Sequence, residues 1–203
     1  MISFNIIPVG SYCVNCVVAS LGGRCIVVDP GQDADAIKGV IGKHGLKPIA
    51  AVLTHGHFDH IGGVPGLLAA YPGLPVYAHP SDWPMLGHPM NQMPPDYPSV
   101  PRPDGLRDVR EIAGDFAEFG IRVLETPGHT PGSVCLLMGD HLLSGDTLFA
   151  GSCGRTDFPG GSMASMRRSL ASLAQLPPKT QVIPGHGPTT TIGQEVSSNP
   201  FMA

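Results

Sequence analysis

The sequence predicts an α/β fold, and three observations carry that expectation. Short apolar runs of about four to eight residues recur between Gly and Pro turns and read as strands. Two segments, Asp33–Lys43 and Met163–Gln175, instead place apolar residues at helical spacing. Ligand-type side chains gather just past strand ends, most densely in Thr54-His55-Gly56-His57-Phe58-Asp59-His60.

Taken in order, Ile2–Val9, Val14–Ser20 and Cys25–Asp29 read as three strands, turned at Gly10-Ser11 and Gly22-Gly23. Cys13-Val14-Asn15-Cys16 is a C-x-x-C without the second pair that a zinc ribbon needs, so it reads as packing. Asp29 ends a strand and fits two roles, a turn residue or an outer partner of a metal site. Asp33–Lys43 reads as a helix with Ala34, Ile37, Val40 and Ile41 on one face, closed by Gly45. Ile49–Leu53 is a buried strand, and Ile61–Tyr71 a helix whose Gly62-Gly63 start lets backbones approach closely. Pro75–Ala78 is a further strand.

From Pro84 to Pro103 there are seven prolines and no periodicity, so this is a loop placed to act as a lid. His79 and His88, in or near it, have no ligand-type neighbours and read as surface histidines. Val109–Phe116 and Ile121–Glu125 read as strands, and Ser133–Met138 with Leu142–Ser144 as a hairpin through Gly139-Asp140. Met163–Gln175 is the second amphipathic helix, stopped by Pro177-Pro178. Gln181–Ile183 is the last strand, and no element is read in the tail that follows.

His55 and His57 sit two apart, so an extended segment sends both side chains to the same side. Asp59 and His60 are adjacent and need a turn at Phe58-Asp59 to reach a neighbouring point. Mixed imidazole and carboxylate donors suit a pair of metal ions, zinc first, with iron or manganese as alternatives. Three further strands deliver similar residues. His129 sits between two Pro-Gly pairs, Asp146 in Gly145-Asp146-Thr147, and His186 in Pro184-Gly185-His186-Gly187. Rigid Gly/Pro turns hold such donors in place before a ligand arrives.

The bulk composition narrows the function classes. A chain of 203 residues can bury a sizeable core, and 42% hydrophobic content argues for a packed globule. Net charge is −4 without a basic block, which gives no support for nucleic-acid binding. No apolar run approaches the roughly 20 residues needed to span a membrane. Met1-Ile2-Ser3-Phe4 lacks a basic leader, and five cysteines is an odd number, so a cytoplasmic location with free thiols is expected. Cys153 has no adjacent base and reads as structural.

The motifs THGHFDH, TPGHTPGS, GDTLF and PGHG, in that order, resemble the metallo-β-lactamase superfamily across nearly the whole chain. Within it they look like a short, single-domain form of glyoxalase II, the hydroxyacylglutathione hydrolases. The resemblance implies a four-layer αββα sandwich spanning residues 1–203, with the metals at one edge of two facing sheets. It implies one divalent ion on His55, His57 and His129, a second on Asp59, His60 and His186, and Asp146 bridging them. Asp59 and Asp146 would then be catalytic, orienting a hydroxide held between the ions for attack on a thioester such as S-lactoylglutathione. Arg155 aligns with a basic residue of the family's glutathione loop, and Phe158 lies in the same loop. Arg155 fits a substrate carboxylate and equally an internal ion pair with Asp157.

Persulfide dioxygenases of the same superfamily share a similar Gly154–Phe158 segment. They imply a different reaction, one iron on His55, His129 and Asp146 oxidising glutathione persulfide with O₂. Their last histidine resembles P-A-H-D-Y, whereas this chain has Pro184-Gly185-His186-Gly187-Pro188. A β-lactamase or lactonase is a further alternative, as is a metal-binding protein without catalysis. The last would be expected to lack a donor, and all seven positions are filled.

Overall fold

Alternation along the strands sorts their side chains onto two faces, and both faces are buried. The computed structural model describes residues 1–91 and 100–202. Six strands, Ser3–Val9 (β1), Val14–Leu21 (β2), Arg24–Val28 (β3), Lys47–Val52 (β4), Val76–Ala78 (β5) and Arg107–Asp108 (β6), lie side by side in that order. The first three pair antiparallel, and β3 to β6 run parallel. The parallel steps need crossovers, which Ala34–Lys43 (α1), Phe58–Ile61 (α2) and Val64–Ala70 (α3) help supply.

The second sheet follows in the chain. Ile121–Glu125 (β7), Val134–Met138 (β8) and His141–Gly145 (β9) form an antiparallel meander. Leu148–Phe149 (β10) and Ser152–Cys153 (β11) make a separate short ribbon. Gln181–Pro184 (β12) pairs parallel with β9, and Thr190–Thr191 (β13) closes the edge.

Three apolar layers hold these sheets. Cys16, Val18, Cys25, Val27 and Ala51 face outward onto Ile37, Ile41, Val64 and Leu67 of α1 and α3. Their neighbours Val17, Ala19, Ile26, Val28 and Val52 face inward, onto Val134, Leu136, Met138, Leu143 and Ile183 of the second sheet. Cys135, Leu137, Leu142 and Val182 face the other way, onto Met166, Leu170 and Leu173 of Met163–Leu173 (α5) and Ile192 of Ile192–Ser198 (α6). Helix, sheet, sheet and helix therefore stack in that order, the four-layer αββα sandwich expected from the sequence.

Three element assignments need correction. Val109–Phe116 is not a strand: Val109–Glu111 is a 3₁₀ turn leading into the short helix Ile112–Asp115 (α4). Val109 and Ile112, three apart, are both fully buried, and the Asp108 carboxylate accepts from the Arg110 amide to start the turn. Ile61–Tyr71 is broken into α2 and α3 at Gly62-Gly63. A side chain at Gly62 would collide with the Gly31 carbonyl, so this break is where the two loops touch. Gln181–Ile183 is not the last strand: the tail adds β13 and then α6, capped by the Thr191 hydroxyl, which accepts from the Gln194 amide 3.2 Å away. Of the Pro84–Pro103 loop, residues 92–99 lie outside the described residues. No described helix is long and apolar enough to cross a membrane.

Candidate metal centre

All seven predicted donors converge just past the carboxyl ends of β4, β7, β9 and β12. β4 runs through Leu53 and Thr54 to His55, still extended at His57, before α2 turns Asp59 and His60 in beside them. The turn expected at Phe58-Asp59 is this single helical turn, with the His60 amide donating to the His57 carbonyl. His129 leaves the loop after β7, Asp146 the end of β9 and His186 the end of β12. Among the described residues, one donor group is His55, His57 and His129, and another is Asp59, His60 and His186. Within each group the candidate donor atoms lie within 4.8 Å of one another.

Most of these spacings match donors around a cation, while His57 Nδ1 and His129 Nε2 stand at hydrogen-bond distance. His57 Nδ1 is 2.8 Å from His129 Nε2, and His60 Nε2 is 3.3 Å from His186 Nε2. Tetrahedral sites with bonds of about 2.1 Å have donor-to-donor edges of about 3.4 Å. Asp146 faces both groups: Oδ1 is 3.4 Å from His60 Nε2, and Oδ2 is 3.5 Å from His129 Nε2 and 3.7 Å from His186 Nε2. His186 Nε2 is 3.3 Å from Asp59 Oδ2. His55 Nε2 and Asp146 Oδ1 are buried without a hydrogen-bond partner. Such orphaned atoms are costly unless something else satisfies them. A nitrogen and oxygen donor set with two orphans at its centre fits divalent cations.

The far nitrogen of four rings is held by the protein, which fixes how each ring points. His55 Nδ1 meets Thr54 Oγ1 at 3.1 Å, and His60 Nδ1 meets Asp29 Oδ2 at 3.0 Å. His129 Nδ1 meets the Arg155 carbonyl at 2.7 Å, and His186 Nδ1 the Tyr12 carbonyl at 3.0 Å. Asp29 therefore takes the outer-partner role. It also accepts from the Thr54 amide and hydroxyl, both at 2.7 Å, so one buried carboxylate aligns two successive parts of the site.

Charge is distributed to match. Burial, then the neighbouring imidazoles, holds His55 well below the ordinary histidine pKa. Burial, then His129, pulls His57 down to about 3. Burial also acts against the charged forms of Asp59 and Asp146, but the surrounding histidines, His60 foremost, outweigh it and keep both carboxyls below their usual range. His60 is likewise desolvated, yet Asp146, Asp29 and Asp59 around it raise its pKa overall.

Sequence reading missed several residues that build this site. Asp82 is fully buried and accepts from the Gly56 amide (2.9 Å), the Thr130 hydroxyl (2.7 Å) and the Gly132 amide (2.7 Å). It ties the His55–His57 loop to the His129 loop. Asn91 donates to the Gly56 carbonyl at 2.7 Å and accepts from the Phe58 amide at 3.2 Å. Asn15, inside the C-x-x-C, donates to the Pro184 and Gly187 carbonyls at 2.9 Å and so braces the His186 turn. Their roles rest on hydrogen bonds to backbone distant in sequence, which no local motif exposes. His79, expected at the surface, is buried: its Nδ1 accepts from the Ser81 amide, and its Nε2 lies 3.3 Å from Glu125 without a hydrogen bond. His88 is exposed as expected.

The remaining candidates fall at the rim. Arg155 donates Nε and Nη2 to the two Asp157 oxygens at 2.7 Å each, and its guanidinium lies 3.9 Å over the Phe158 ring. The internal ion pair is thus the arrangement present. Phe158 stands edge-on to His57 with ring centroids 5.6 Å apart. All five cysteines are free. Cys16 packs in the core, and burial raises the Cys153 thiol pKa, so neither resembles an activated nucleophile.

A profile of the metallo-beta-lactamase superfamily matches residues 12–186, which takes in every one of these donors. The chain belongs to the metallo-β-lactamase superfamily. A probable metallo-hydrolase of Bacillus subtilis (strain 168), YqgX, is 34% identical over 96% of this chain and 95% of that protein. A hydroxyacylglutathione hydrolase of Alkalilimnicola ehrlichii is 41% identical over 79% of this chain, which spans only 55% of that longer protein. Among solved structures, TTHA1623 in a di-iron-bound form superposes with a TM-score of 0.88 at 38% identity, covering 97% of this chain and 99% of that one. BLEG-1 B3 metallo-β-lactamase gives 0.87 at 34% identity, over 98% and 99%. ETHE1 from Myxococcus xanthus gives 0.74 at 26% identity, over 98% and 83%.

Proposed function

We propose that this superfamily member is a metal-dependent thioester hydrolase, cleaving substrates such as S-lactoylglutathione to a hydroxy acid and a thiol. The observation that carries this reading is the pair of complete donor groups with Asp146 between them. When bound, two divalent cations, zinc first and iron or manganese as alternatives, would acidify a water and polarise a carbonyl. His55, His57 and His129 would hold one cation, and Asp59, His60 and His186 the other, with Asp146 available to both. Asp59 and Asp146 are kept ionised, so both offer acceptors that orient an attacking water. The departing thiolate needs little protonation, because a thiol is a fair leaving group. The likeness to a hydroxyacylglutathione hydrolase supports the acyl-transfer chemistry.

The likeness to ETHE1 motivates a second reading, a mononuclear-iron persulfide dioxygenase using His55, His129 and Asp146. Intact Asp59, His60 and His186 favour the two-cation hydrolase. A substrate panel separates them. S-lactoylglutathione, a coenzyme A thioester, a simple lactone, nitrocefin and glutathione persulfide would each be offered to metal-analysed protein, with O₂ uptake followed for the last. Thioester cleavage with about two metals per chain is expected. Persulfide-dependent O₂ uptake with one iron and no thioester cleavage would overturn the proposal.

A further inference from the structure

Beside the donor cluster lies a cavity of about 320 Å³. Its walls are Phe58, Pro84, Met85, Phe158 and Pro159 with the imidazoles of His57 and His88, so one wall is itself a member of the donor set. The chemistry of these walls is almost wholly apolar. Asn91 also borders it, but its amide is spent on the backbone at Gly56 and Phe58, as described above. The one guanidinium at this rim among the described residues, Arg155, has its fork filled by Asp157 and lies flat on Phe158. Further rings surround the cluster: Tyr12 stands edge-on to Phe58 at 5.6 Å, and Phe149 lies 6.2 Å from the His186 ring.

We propose that this cavity is a specificity pocket for an uncharged apolar substituent of the substrate, an aliphatic chain of moderate length or an aryl group. The inference rests on the reading that substrate reacts at the donor cluster, and it narrows the substrate class. Among the described residues the one guanidinium at this rim is already paired with Asp157, so a charged tripeptide would meet no free guanidinium there, whereas an alkyl or aryl group would be desolvated against Phe58, Met85, Phe158 and Pro159. The volume lies at the low end of small-molecule pockets, which bounds the group's size. Burying a methylene there is worth about a fourfold gain in affinity until the space is filled.

Binding of non-reacting ligands tests this without relying on turnover. Zinc-loaded protein would be titrated calorimetrically with straight-chain carboxylates of increasing length, standing for the acyl side, and with alkanethiols, standing for the thiol side. The expected result is a rise of about fourfold per methylene in one series, identifying which side of the scissile bond enters the cavity. Met85→Ser and Phe158→Ser should each flatten that slope. Affinity independent of chain length in both series would overturn the pocket. A sloped series from a protein that cleaves no thioester would retain the pocket and sink only the proposed reaction; a flat series with thioester turnover would do the reverse.

Discussion

Asp29 Oδ2 lies 3.0 Å from His60 Nδ1, and both side chains are buried. A carboxylate in this position fixes the ring's tautomer and raises its basicity as a donor. Asp29→Ala should therefore weaken metal binding about 10- to 100-fold, read by competition with a chelator of known affinity. It should also destabilise the fold by about 2 kcal/mol, because the buried Thr54 amide loses its acceptor. Unchanged chelator competition would mean that the contact does not tune the centre.

Asp82 gives a separate prediction about structure. Removing it strands two buried amides, each worth about 1–3 kcal/mol when left unsatisfied, and costs the Thr130 hydroxyl one of its two partners. Asp82→Ala should lower unfolding free energy by about 3 kcal/mol or more, measured in urea, and loosen both donor loops. A loss below about 1 kcal/mol would show that water replaces the carboxylate there.

The donor Asp146 should be indispensable to turnover. Asp146→Ala and His57→Ala are each expected to lower the rate by about a thousandfold or more, with reduced metal content and an unchanged circular dichroism spectrum. Near wild-type rates in Asp146→Ala would remove the case for two cooperating cations.

Gly185 should tolerate no side chain. A Cβ there would press into Asp146 Oδ1 and the His60 ring. Gly185→Ala is expected to cost metal occupancy before it costs global stability, so metal analysis and thermal melts should diverge. Full occupancy in the variant would show that the two donors can shift aside.

Metal-free protein should have a stability maximum near pH 6.5. His57, pulled down to about 3, stays neutral when folded but takes a proton when unfolded once pH falls below about 6.5; His55 shifts the same way. Stability is therefore lost on the acid side, further so as Asp59 and Asp146, with lowered pKa values, lose their advantage. His60 and His186 are shifted upward by nearby carboxylates despite burial, so their contribution is full below about 6.5 and is lost as pH rises through the folded values. Urea midpoints of chelator-treated protein at about pH 5, 6.5 and 8.5 check this, and a steady rise to the highest pH would contradict it.

The donors were legible in sequence because each follows an apolar run and sits in a turn whose Gly and Pro residues announce themselves. His55 to His60, His129, Asp146 and His186 all have that signature. Asp82 and Asn15 do not: their importance comes from hydrogen bonds to backbone far away in sequence, which no local pattern encodes. Val109–Phe116 misled because a short segment with Val, Ile and Phe favours neither period clearly, and only the joint burial of Val109 and Ile112 decides it. The strand order and the parallel pairing of β9 with β12 were also beyond reach, since long-range partners leave no trace in a single strand.

The first sheet is complete by Asp108 and the second begins at Ile121, so the donors divide by chain position: four precede that junction and three follow it. A cut between Asp115 and Ile121 would leave two fragments, each with its own sheet and an incomplete set of donors. Reassociation of such fragments should depend on added cation, which makes the protein a natural starting point for a metal-reporting split pair.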